Sequence, residues 1–487
     1  MTRLAIVRPA NHFEVEVAPP LGPMAVSAYA KQETDADVRL FDLQLSRLSD
    51  EALAHEMRGF DPGLIGFSSL TCHAPDVARL SASLRRHFPG IPQIVGGPHG
   101  TAQSAQIIED MPAVDFAVVG EGEHAVADLV AWREGRLGAS RIRGVVRREN
   151  GNAVRNEAGA PIEDIDLLPF LDYGLVDMNA FERAPRTGFV RKKKKYFAMF
   201  TSRGCPYRCN YCHLVFGKTF RFQSADRVLD ELDLLYHRYG VREFQMFDDI
   251  FNLRRDRAIA VFRGIVRRGY DIAISFPNGI RVDILDAEVA DWMRRAGVVF
   301  SVVSIESATP RLQKQMRKNL RLDKARRGIE LLVERGIFTR GAFMMGFPGE
   351  TREELLATAR FARESKLHGA SFYFVLPLPG TPLYEQFESV VGRRQARMKQ
   401  QTHNADPNMS AVSLAAVSPD ELRRIVRAAY LRFYLNPARV WRILRDVPRK
   451  TQLLTLSLTA VLRSWLPHAE FKIYEWKDSL RRAAGFA

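Results

Sequence analysis

The sequence has few cysteines and no long apolar runs. Only four cysteines occur in 487 residues, too few for the disulfide framework of a secreted scaffold. The N-terminal stretch lacks the apolar core of a signal peptide. The most apolar C-terminal stretch, residues 453–461, is too short to cross a membrane and is soon followed by Arg463. We therefore expect a cytoplasmic protein.

Nucleotide-binding signatures are also missing. No Gly-x-Gly-x-x-Gly opens the first helix, and no Walker sequence is present. The net charge is +15, yet the basic residues belong to no recognisable nucleic-acid-binding module, so nucleic acid is not an expected partner. The length and the 46% apolar content instead predict two large domains with an extension.

Three of the four cysteines lie close together, at Cys205, Cys209 and Cys212. Thiolates spaced four and three residues apart in a loop can converge on three irons of a 4Fe-4S cluster, leaving the fourth iron open for a substrate or cofactor. A zinc site needs four ligands, and only His213 is near enough to complete one. A disulfide would leave one of the three thiols unpaired. The spacing favours the cluster, with zinc or inert thiols as alternatives.

The pattern Cys-x-x-x-Cys-x-aromatic-Cys, with Tyr211 as the aromatic residue, resembles the signature of radical S-adenosylmethionine (SAM) enzymes. The resemblance implies that SAM chelates the open iron. It also implies that one electron, from flavodoxin or a similar reductant, cleaves SAM to a 5'-deoxyadenosyl radical. The three cysteines are then both metal ligands and catalytic residues.

The sequence after this loop alternates between strand and helix patterns. Strands are predicted near 196–201, 243–247, 272–276, 298–305, 337–345 and 371–376, separated by helices. Six such units predict a partial (β/α)6 TIM-type barrel, whose chemistry belongs at the carboxyl ends of the strands.

Polar residues follow several of these predicted strands. By resemblance, Asp248 and Asp249 take the place of the family's Gly-Gly-Glu, residues 304–307 resemble its Gly-Ile-Glu-Ser with serine in place of the first glycine, and residues 341–350 resemble its adenine-side segment. The alternative is that they are ordinary caps and turns. The resemblance predicts these SAM-binding residues: Tyr211, Asp248, Asp249, Arg281, Glu306, Ser307 and Gly346.

The first 135 residues have a separate alternating pattern, which predicts a doubly wound, flavodoxin-like parallel sheet. Its loops resemble those of the cobalamin-binding domain fused to many radical SAM enzymes. The predicted cobalamin-binding residues are Ser68, Ser69, Leu70, Gly96, Gly97, His99, Gly120 and Glu121.

One departure concerns the loop after the first strand. Better-known cobalamin domains carry Asp-x-His-x-x-Gly there, whereas His12 lacks the aspartate and the glycine. In this branch the departure implies cobalamin bound without a protein imidazole below the metal. A plain flavodoxin-like domain that holds no cobalamin is the alternative. His12 and His99 are expected to be hydrogen-bonding loop residues, and Cys72 a buried or loop thiol.

The rest of the chain is assigned by composition. A basic run at 191–195 is expected to be a solvated face, or less readily a surface for an acidic partner. Ser418 begins a predicted basic, helical region, which either caps the barrel or lies on an anionic membrane. The predicted division is a cobalamin-binding-like domain at 1–135, a linker at 136–195, the barrel at 196–385 and a helical C-terminal region at 386–487.

The two-domain order implies a methyltransferase-like enzyme of the cobalamin-binding radical SAM family. It would methylate an unactivated carbon or phosphorus of a small molecule or lipid. A radical cyclase or oxidase, like the anaerobic cyclase of chlorophyll biosynthesis, is the first alternative. A non-catalytic cobalamin or cluster-binding sensor is the second. The amino-acid composition does not identify the substrate.

Overall fold

Two β-sheets organise the chain. The computed structural model describes residues 1–10, 17–183, 190, 192–213, 215–392 and 413–450. The first sheet has the order β2-β1-β3-β4-β5-β6-β7, and its first five strands are parallel. This order is that of a flavodoxin-like, doubly wound fold, as predicted. The strands are β1 (Arg3–Arg8), β2 (Asp37–Asp42), β3 (Leu64–Ser68), β4 (Gln93–Gly96), β5 (Phe116–Val118), β6 (Val145–Glu149) and β7 (Asn152–Arg155).

Helices cover both faces of this sheet. Along β1, Ala5 and Val7 enter one apolar core while Leu4 and Ile6 enter the other, because successive side chains of a strand point to opposite faces. The helices are α1 (Leu21–Glu33), α2 (Leu43–Ser46), α3 (Asp50–Phe60), α4 (Ala74–His87), α5 (Pro98–Asp110) and α6 (Glu123–Arg133).

The sheet extends into the segment predicted to be a linker. Strands β6 and β7 form an antiparallel hairpin, and β6 pairs with β5. The turn consists of Asn150 and Gly151, both with positive φ, which is the residue pair most typical of a two-residue hairpin. The Asn-Gly pair is thus a local sequence signal for a hairpin within the segment predicted to be a linker. The boundaries of the four predicted regions stay a prediction.

The second sheet is parallel throughout, with the order β15-β14-β13-β12-β11-β8. Its six strands confirm the predicted partial barrel, and a short antiparallel hairpin, β9 with β10, follows β8. The strands are β8 (Tyr196–Met199), β9 (Ser202–Arg203), β10 (Arg221–Phe222), β11 (Glu243–Met246), β12 (Ala273–Ile280), β13 (Val298–Glu306), β14 (Phe338–Met345) and β15 (Gly369–Phe374).

The barrel helices pack around this sheet. Helix α8 continues as a π-helical turn, Leu234–Arg238. The helices are α7 (Ala180–Arg183), α8 (Ala225–Asp233), α9 (Arg255–Arg267), α10 (Ala287–Arg295), α11 (Pro310–Gln315), α12 (Leu322–Glu334), α13 (Arg352–Glu364), α14 (Pro382–Val391), α15 (Pro419–Tyr434) and α16 (Pro437–Asp446).

The C-terminal helices cover the barrel's edge strand. The hydroxyl of Tyr430 accepts from the Phe372 amide at 2.9 Å, and that of Tyr434 accepts from the Ala370 amide at 3.3 Å. Because an edge strand carries unpaired backbone groups, these contacts dock α15 along β15. Ser418 caps α15 through the amide of Glu421. No helix within the described ranges is long and apolar enough to span a bilayer.

Candidate active site

The three cysteines lie in the loop between β9 and β10. All three are free and half-buried. Gly204 opens the loop at φ +80°, where a Cβ would overlap the carbonyl oxygen of Thr219, so only glycine fits. The Cys205 amide donates to the Gly217 carbonyl at 3.4 Å, and the Cys212 amide donates to the Cys209 carbonyl at 3.3 Å. These contacts close the loop that carries the cysteines.

Burial raises the pKa of Cys205 and of Cys212, so these two thiols are neutral in the metal-free protein. Burial, reinforced by Cys209 and Asp249, raises the pKa of Cys212 to about 12. Iron must therefore displace protons when it binds. Within the described part of the chain, no three His, Cys, Asp or Glu side chains are grouped to hold one metal ion. A cubane cluster does not need three ligands on one metal ion, since each thiolate binds its own iron. The three thiols of this loop can supply one ligand to each of three irons.

Asp248 anchors the strand that enters the loop. It is buried, and it accepts from the Thr201 amide at 3.2 Å, from the Thr201 hydroxyl at 2.8 Å and from the Ser202 hydroxyl. Burial raises its pKa. Its Oδ2 has no partner among the described residues, so one acceptor is left for a ligand amino group.

Asp249 lies closer to the cysteines. The Gly204 amide donates to it, and it contributes to the raised pKa values of Cys205 and Cys212. Burial raises the pKa of Asp249 itself. The two aspartates thus have different surroundings, one supporting the strand and the other beside the thiols.

Tyr211 and Glu306 meet at a buried lysine. Lys318 donates to Glu306 at 2.9 Å and to the Tyr211 hydroxyl at 3.3 Å, while that hydroxyl donates to Glu306 at 3.3 Å. The lysine and glutamate side chains are each 9% exposed. Glu306 ends β13 with φ 65°. The triad therefore joins the cluster loop to β13 and to the turn after α11.

Arg281 makes a different connection. It forms a bidentate pair with Asp283 at 2.6 and 3.2 Å and donates to the carbonyls of Lys318 and Asn319. Its guanidinium also lies 3.9 Å from the centre of the Tyr207 ring. All of these partners are protein groups. Arg281 therefore contacts the cluster loop through Tyr207 and joins it to the turn at 318–319.

Ser307 and Gly346 lie in the turns that follow β13 and β14. The Ser307 hydroxyl is near those of Thr309 and Thr358, at 3.2 and 3.4 Å. Gly346 adopts φ 105°, and its amide donates to Glu350 at 2.6 Å. Glu350 also accepts from the Phe347 amide at 3.0 Å. Its carboxylate shapes the turn of the predicted adenine-side segment.

Glu350 should make stability depend on pH. Burial raises its pKa from 4.5 to about 7, and its Oε1 has no partner among the described residues. Between these values the folded protein binds more protons than the unfolded chain, so the free energy of unfolding falls as pH rises. We expect wild type to lose about 1–3 kcal/mol relative to Glu350→Gln between pH 4.5 and pH 8. Urea unfolding at both pH values measures this; a constant difference would contradict it.

The predicted cobalamin loops occupy the carboxyl ends of β3, β4 and β5. The Ser69 amide donates to the Gly96 carbonyl, and the His99 amide donates to the Ser69 carbonyl, both at 3.0 Å. The Gly120 amide donates to the Thr101 hydroxyl at 3.0 Å. The structure thus brings Ser69, Gly96, Gly97, His99 and Gly120 together at one edge. Ser68 ends β3, and Leu70 is exposed beside it.

Two histidines lie beneath these loops. Burial lowers the pKa of His73 and of His99 to about 4, so both rings are neutral at neutral pH. Nε2 of His73 and Nδ1 of His99 have no partner among the described residues. These two nitrogens, next to the glycine turns, are polar atoms left unpaired at the predicted cobalamin site. His12 lies outside the described residues, and Cys72 is half-buried.

A substitution at Gly97 tests this loop arrangement. Gly97 has φ 86° and ψ −167°, a region open essentially to glycine alone, and a Cβ would lie 2.9 Å from the Ser69 carbonyl oxygen. We expect Gly97→Ala to cost about 1–3 kcal/mol and to weaken cobalamin binding roughly tenfold. Cobalamin titration and thermal melting measure the two effects. The control is Gly90→Ala, because nothing lies within 4 Å of that added Cβ; equal effects would refute the expectation.

Glu121 differs from the other predicted cobalamin residues. Its carboxylate pairs with Arg203 at 2.5 Å and with Arg221 at 2.6 Å, both from the β9–β10 hairpin. Sequence reasoning missed these arginines, and it missed Lys318 and Thr101 as well. None of the four follows a recognisable motif.

Known proteins match both halves of this arrangement. A Radical SAM superfamily model matches residues 199–362, and a B12 binding domain model matches residues 15–130. An uncharacterized methyltransferase of Pyrococcus horikoshii is 31% identical over 424 residues, spanning 86% of this chain and 88% of the relative. The chain belongs to the radical SAM superfamily, in the branch with a B12-binding domain. The predicted family is confirmed.

Other similarities extend over most of this radical SAM protein. The anaerobic magnesium-protoporphyrin IX monomethyl ester cyclase of Rubrivivax gelatinosus is 26% identical over 504 residues, covering all of this chain and 87% of the relative. The radical SAM methyltransferase TsrM of Kitasatospora setae, solved with cobalamin and a [4Fe-4S] cluster, has a TM-score of 0.66 at 20% identity, covering 80% of this chain and 79% of TsrM. The TsrM similarity supports the fold.

The predicted enzyme class and cofactors are confirmed at the level of the domains. The radical SAM domain implies a 4Fe-4S cluster and SAM, and the B12-binding domain implies cobalamin. The residues fit these groups: three loop thiols for the cluster, the open acceptor of Asp248 for SAM, and the glycine turns above His99 for cobalamin. The roles of individual residues stay predictions.

Proposed function

We propose that this protein methylates an unactivated carbon or phosphorus of a small molecule or lipid, using cobalamin and a SAM-derived radical. The proposal is carried by one observation: the predicted cobalamin loops and the cluster loop are joined directly through Arg203, which pairs with Glu121 and Glu123 and is two residues from Cys205. Two reactive groups that share one substrate must lie close together.

The three loop thiols would hold the cluster that supplies the electron for SAM cleavage, and the loops at the carboxyl ends of β3, β4 and β5 would hold the cobalamin that takes up a methyl group from a second SAM. Each methylation then consumes two SAM and two electrons and releases S-adenosylhomocysteine, methionine and 5'-deoxyadenosine, which keeps the hydrogen taken from the substrate. Flavodoxin or a similar one-electron donor is the proposed reductant. The chain's own part is to position these partners and exclude water. Tyr211, Glu306 and Lys318 would hold the cluster loop against β13.

Product analysis tests the proposal. Enzyme purified without oxygen, with cobalamin, reductant, candidate substrates and methyl-labelled SAM, should form S-adenosylhomocysteine and 5'-deoxyadenosine in about equal amounts. The label should appear in the product. 5'-Deoxyadenosine without labelled product would count against methylation.

A non-methylating cyclase or oxidase is the second candidate. It is favoured by the similarity to the Rubrivivax cyclase over the full chain. Such an enzyme would form 5'-deoxyadenosine and change the substrate without incorporating the labelled methyl group. The same labelled SAM therefore discriminates between the two candidates.

A peripheral membrane contact is proposed for the C-terminal helices. Leu435, Val440, Trp441 and Leu444 expose 44–76% of their surface, and Val440, Trp441 and Leu444 share one face of α16 by helical spacing. Arg445 lies beside them, 5.0 Å from the Trp441 ring. An apolar face edged with arginine suits an anionic bilayer. The apolar residues 453–465 lie outside the described residues.

Vesicle sedimentation tests this contact. Phosphatidylglycerol vesicles should retain the protein, and Trp441→Ser should release most of it, whereas pure phosphatidylcholine should bind it weakly. Equal binding by wild type and Trp441→Ser would exclude this face as the contact.

A further inference from the structure

Four charged side chains meet where the first sheet adjoins the cluster loop. Arg203 pairs with Glu121 and with Glu123, each at 2.5 Å, and Arg221 pairs with Glu121 at 2.6 Å. Their side chains are only 5–11% exposed. Two positive and two negative groups make this junction cluster formally neutral. Each carboxylate oxygen of Glu121 forms an ion pair with a different arginine.

Local structure fixes the spacing of these charges. Arg203 and Arg221 are directly opposite each other in the β9–β10 ladder, and opposite residues of an antiparallel pair share one face. Glu123 begins α6, and Glu121 precedes it between two glycines, the first with φ 80°. The hairpin therefore presents two arginines on one face, and the start of α6 with the loop before it presents two glutamates that pair with them.

The junction cluster lies between the two candidate cofactor sites. On one side, Arg221 donates to the Phe216 carbonyl within the cluster loop at 2.9 Å. On the other side, Gly120 adjoins Glu121, and its amide is bonded to Thr101. The Thr101 hydroxyl in turn donates to the Gly97 carbonyl at 3.1 Å. Short contacts thus run from the glycine turn at 97 to the loop that carries the cysteines.

We propose that the junction cluster is a positioning device that holds the cobalamin loops in register with the iron–sulfur loop for methyl transfer. This inference rests on the proposed function. Charge-assisted, two-point pairing fixes orientation as well as distance, and a buried charge without its partner is strongly disfavoured. Glu121 then acts through the arginines and does not contact cobalamin, which differs from the role that the sequence predicts for it.

Disrupting the junction cluster should therefore impair methyl transfer more than SAM cleavage. Methyl transfer requires both sites in register, whereas SAM cleavage requires only the cluster side. Glu121→Gln keeps the shape of the side chain but removes its charge. We expect the ratio of methylated product to 5'-deoxyadenosine to fall at least about tenfold, because small misplacements of reacting groups are costly. Cobalamin affinity should change less than about twofold, because Glu121 does not contact cobalamin in this proposal. Any change in the rate of SAM cleavage is removed by comparing product per 5'-deoxyadenosine formed.

A second readout needs neither cofactor. In the metal-free, cobalamin-free protein, amide hydrogen exchange of residues 204–220 should accelerate in Glu121→Gln, although the substitution is in the other unit. Glu109→Gln on α5 is the matched control, because Glu109 is exposed in the same unit. Glu123→Gln removes one of the three pairs and should give an intermediate effect. It is the substitute if Glu121→Gln does not fold.

The outcomes separate the two proposals. If wild type forms no labelled methyl product, the proposed function fails, and positioning for methyl transfer fails with it even if hydrogen exchange shows coupling. If wild type methylates and Glu121→Gln keeps its product ratio, the positioning role is refuted while the proposed function stands. Loss of cobalamin affinity in Glu121→Gln with unchanged exchange at 204–220 would instead make Glu121 a cobalamin contact.

Discussion

Replacing Cys209 with alanine is expected to abolish the iron–sulfur cluster and, with it, formation of 5'-deoxyadenosine. Two thiolates cannot hold three irons of a cubane, and Cys205 and Cys212 are the only other cysteines in the loop. Outer-shell changes at metal sites typically cost about 10–100-fold, and loss of a ligand should exceed that. Iron and sulfide content, the visible spectrum and 5'-deoxyadenosine formation measure the effect in protein purified without oxygen.

Cys72 provides the matched control. It is the fourth cysteine and is half-buried after β3 in the first unit. Cys72→Ala should keep full iron content and SAM cleavage. Cobalt measured in the same samples should be unchanged by Cys209→Ala, because the cobalamin loops belong to the other sheet. If cells carrying Cys209→Ala kept the protein's function, the non-catalytic sensor role would gain support.

Replacing Lys318 with methionine is expected to destabilise the barrel by about 3–5 kcal/mol. The substitution leaves the Glu306 carboxylate buried with only the weak 3.3 Å bond from Tyr211. An unpaired buried charge costs more than the pair contributes. Urea unfolding of the metal-free protein, followed by circular dichroism, measures the change. SAM cleavage should fall in parallel, because the triad no longer holds the cluster loop against β13.

Two variants make this expectation specific. Lys314→Met removes an exposed lysine four residues earlier and should change the free energy of unfolding by less than about 0.5 kcal/mol. Adding Glu306→Gln to Lys318→Met removes the stranded charge and should recover about 0.5–3 kcal/mol. Equal losses in Lys314→Met and Lys318→Met, or no recovery in the double variant, would show that the pair is not the cause.

The candidate site was only partly readable from the sequence. The spacing of Cys205, Cys209 and Cys212 is local, so the loop chemistry could be predicted directly. The resemblance predicts that Asp248 and Arg281 bind SAM, and this stays a prediction. In the structure Asp248 contacts Thr201 and Ser202, and Arg281 pairs with Asp283; one oxygen of Asp248 is left without a partner among the described residues. The position of a residue along the chain shows that it follows a strand. It does not show which groups the side chain of that residue contacts in the folded protein.

The sequence by itself determined the parallel strands of both sheets, since helix and strand periodicities are set by neighbouring residues. It also determined the cluster loop and the family. The tertiary structure alone decided the partners of the buried charges. Lys318 joins Tyr211 to Glu306, and Arg203 joins the cysteine loop to Glu121 and Glu123. Arg203 and Glu121 are 82 residues apart. A buried ion pair depends on where folding brings two distant segments, and no local pattern records that meeting.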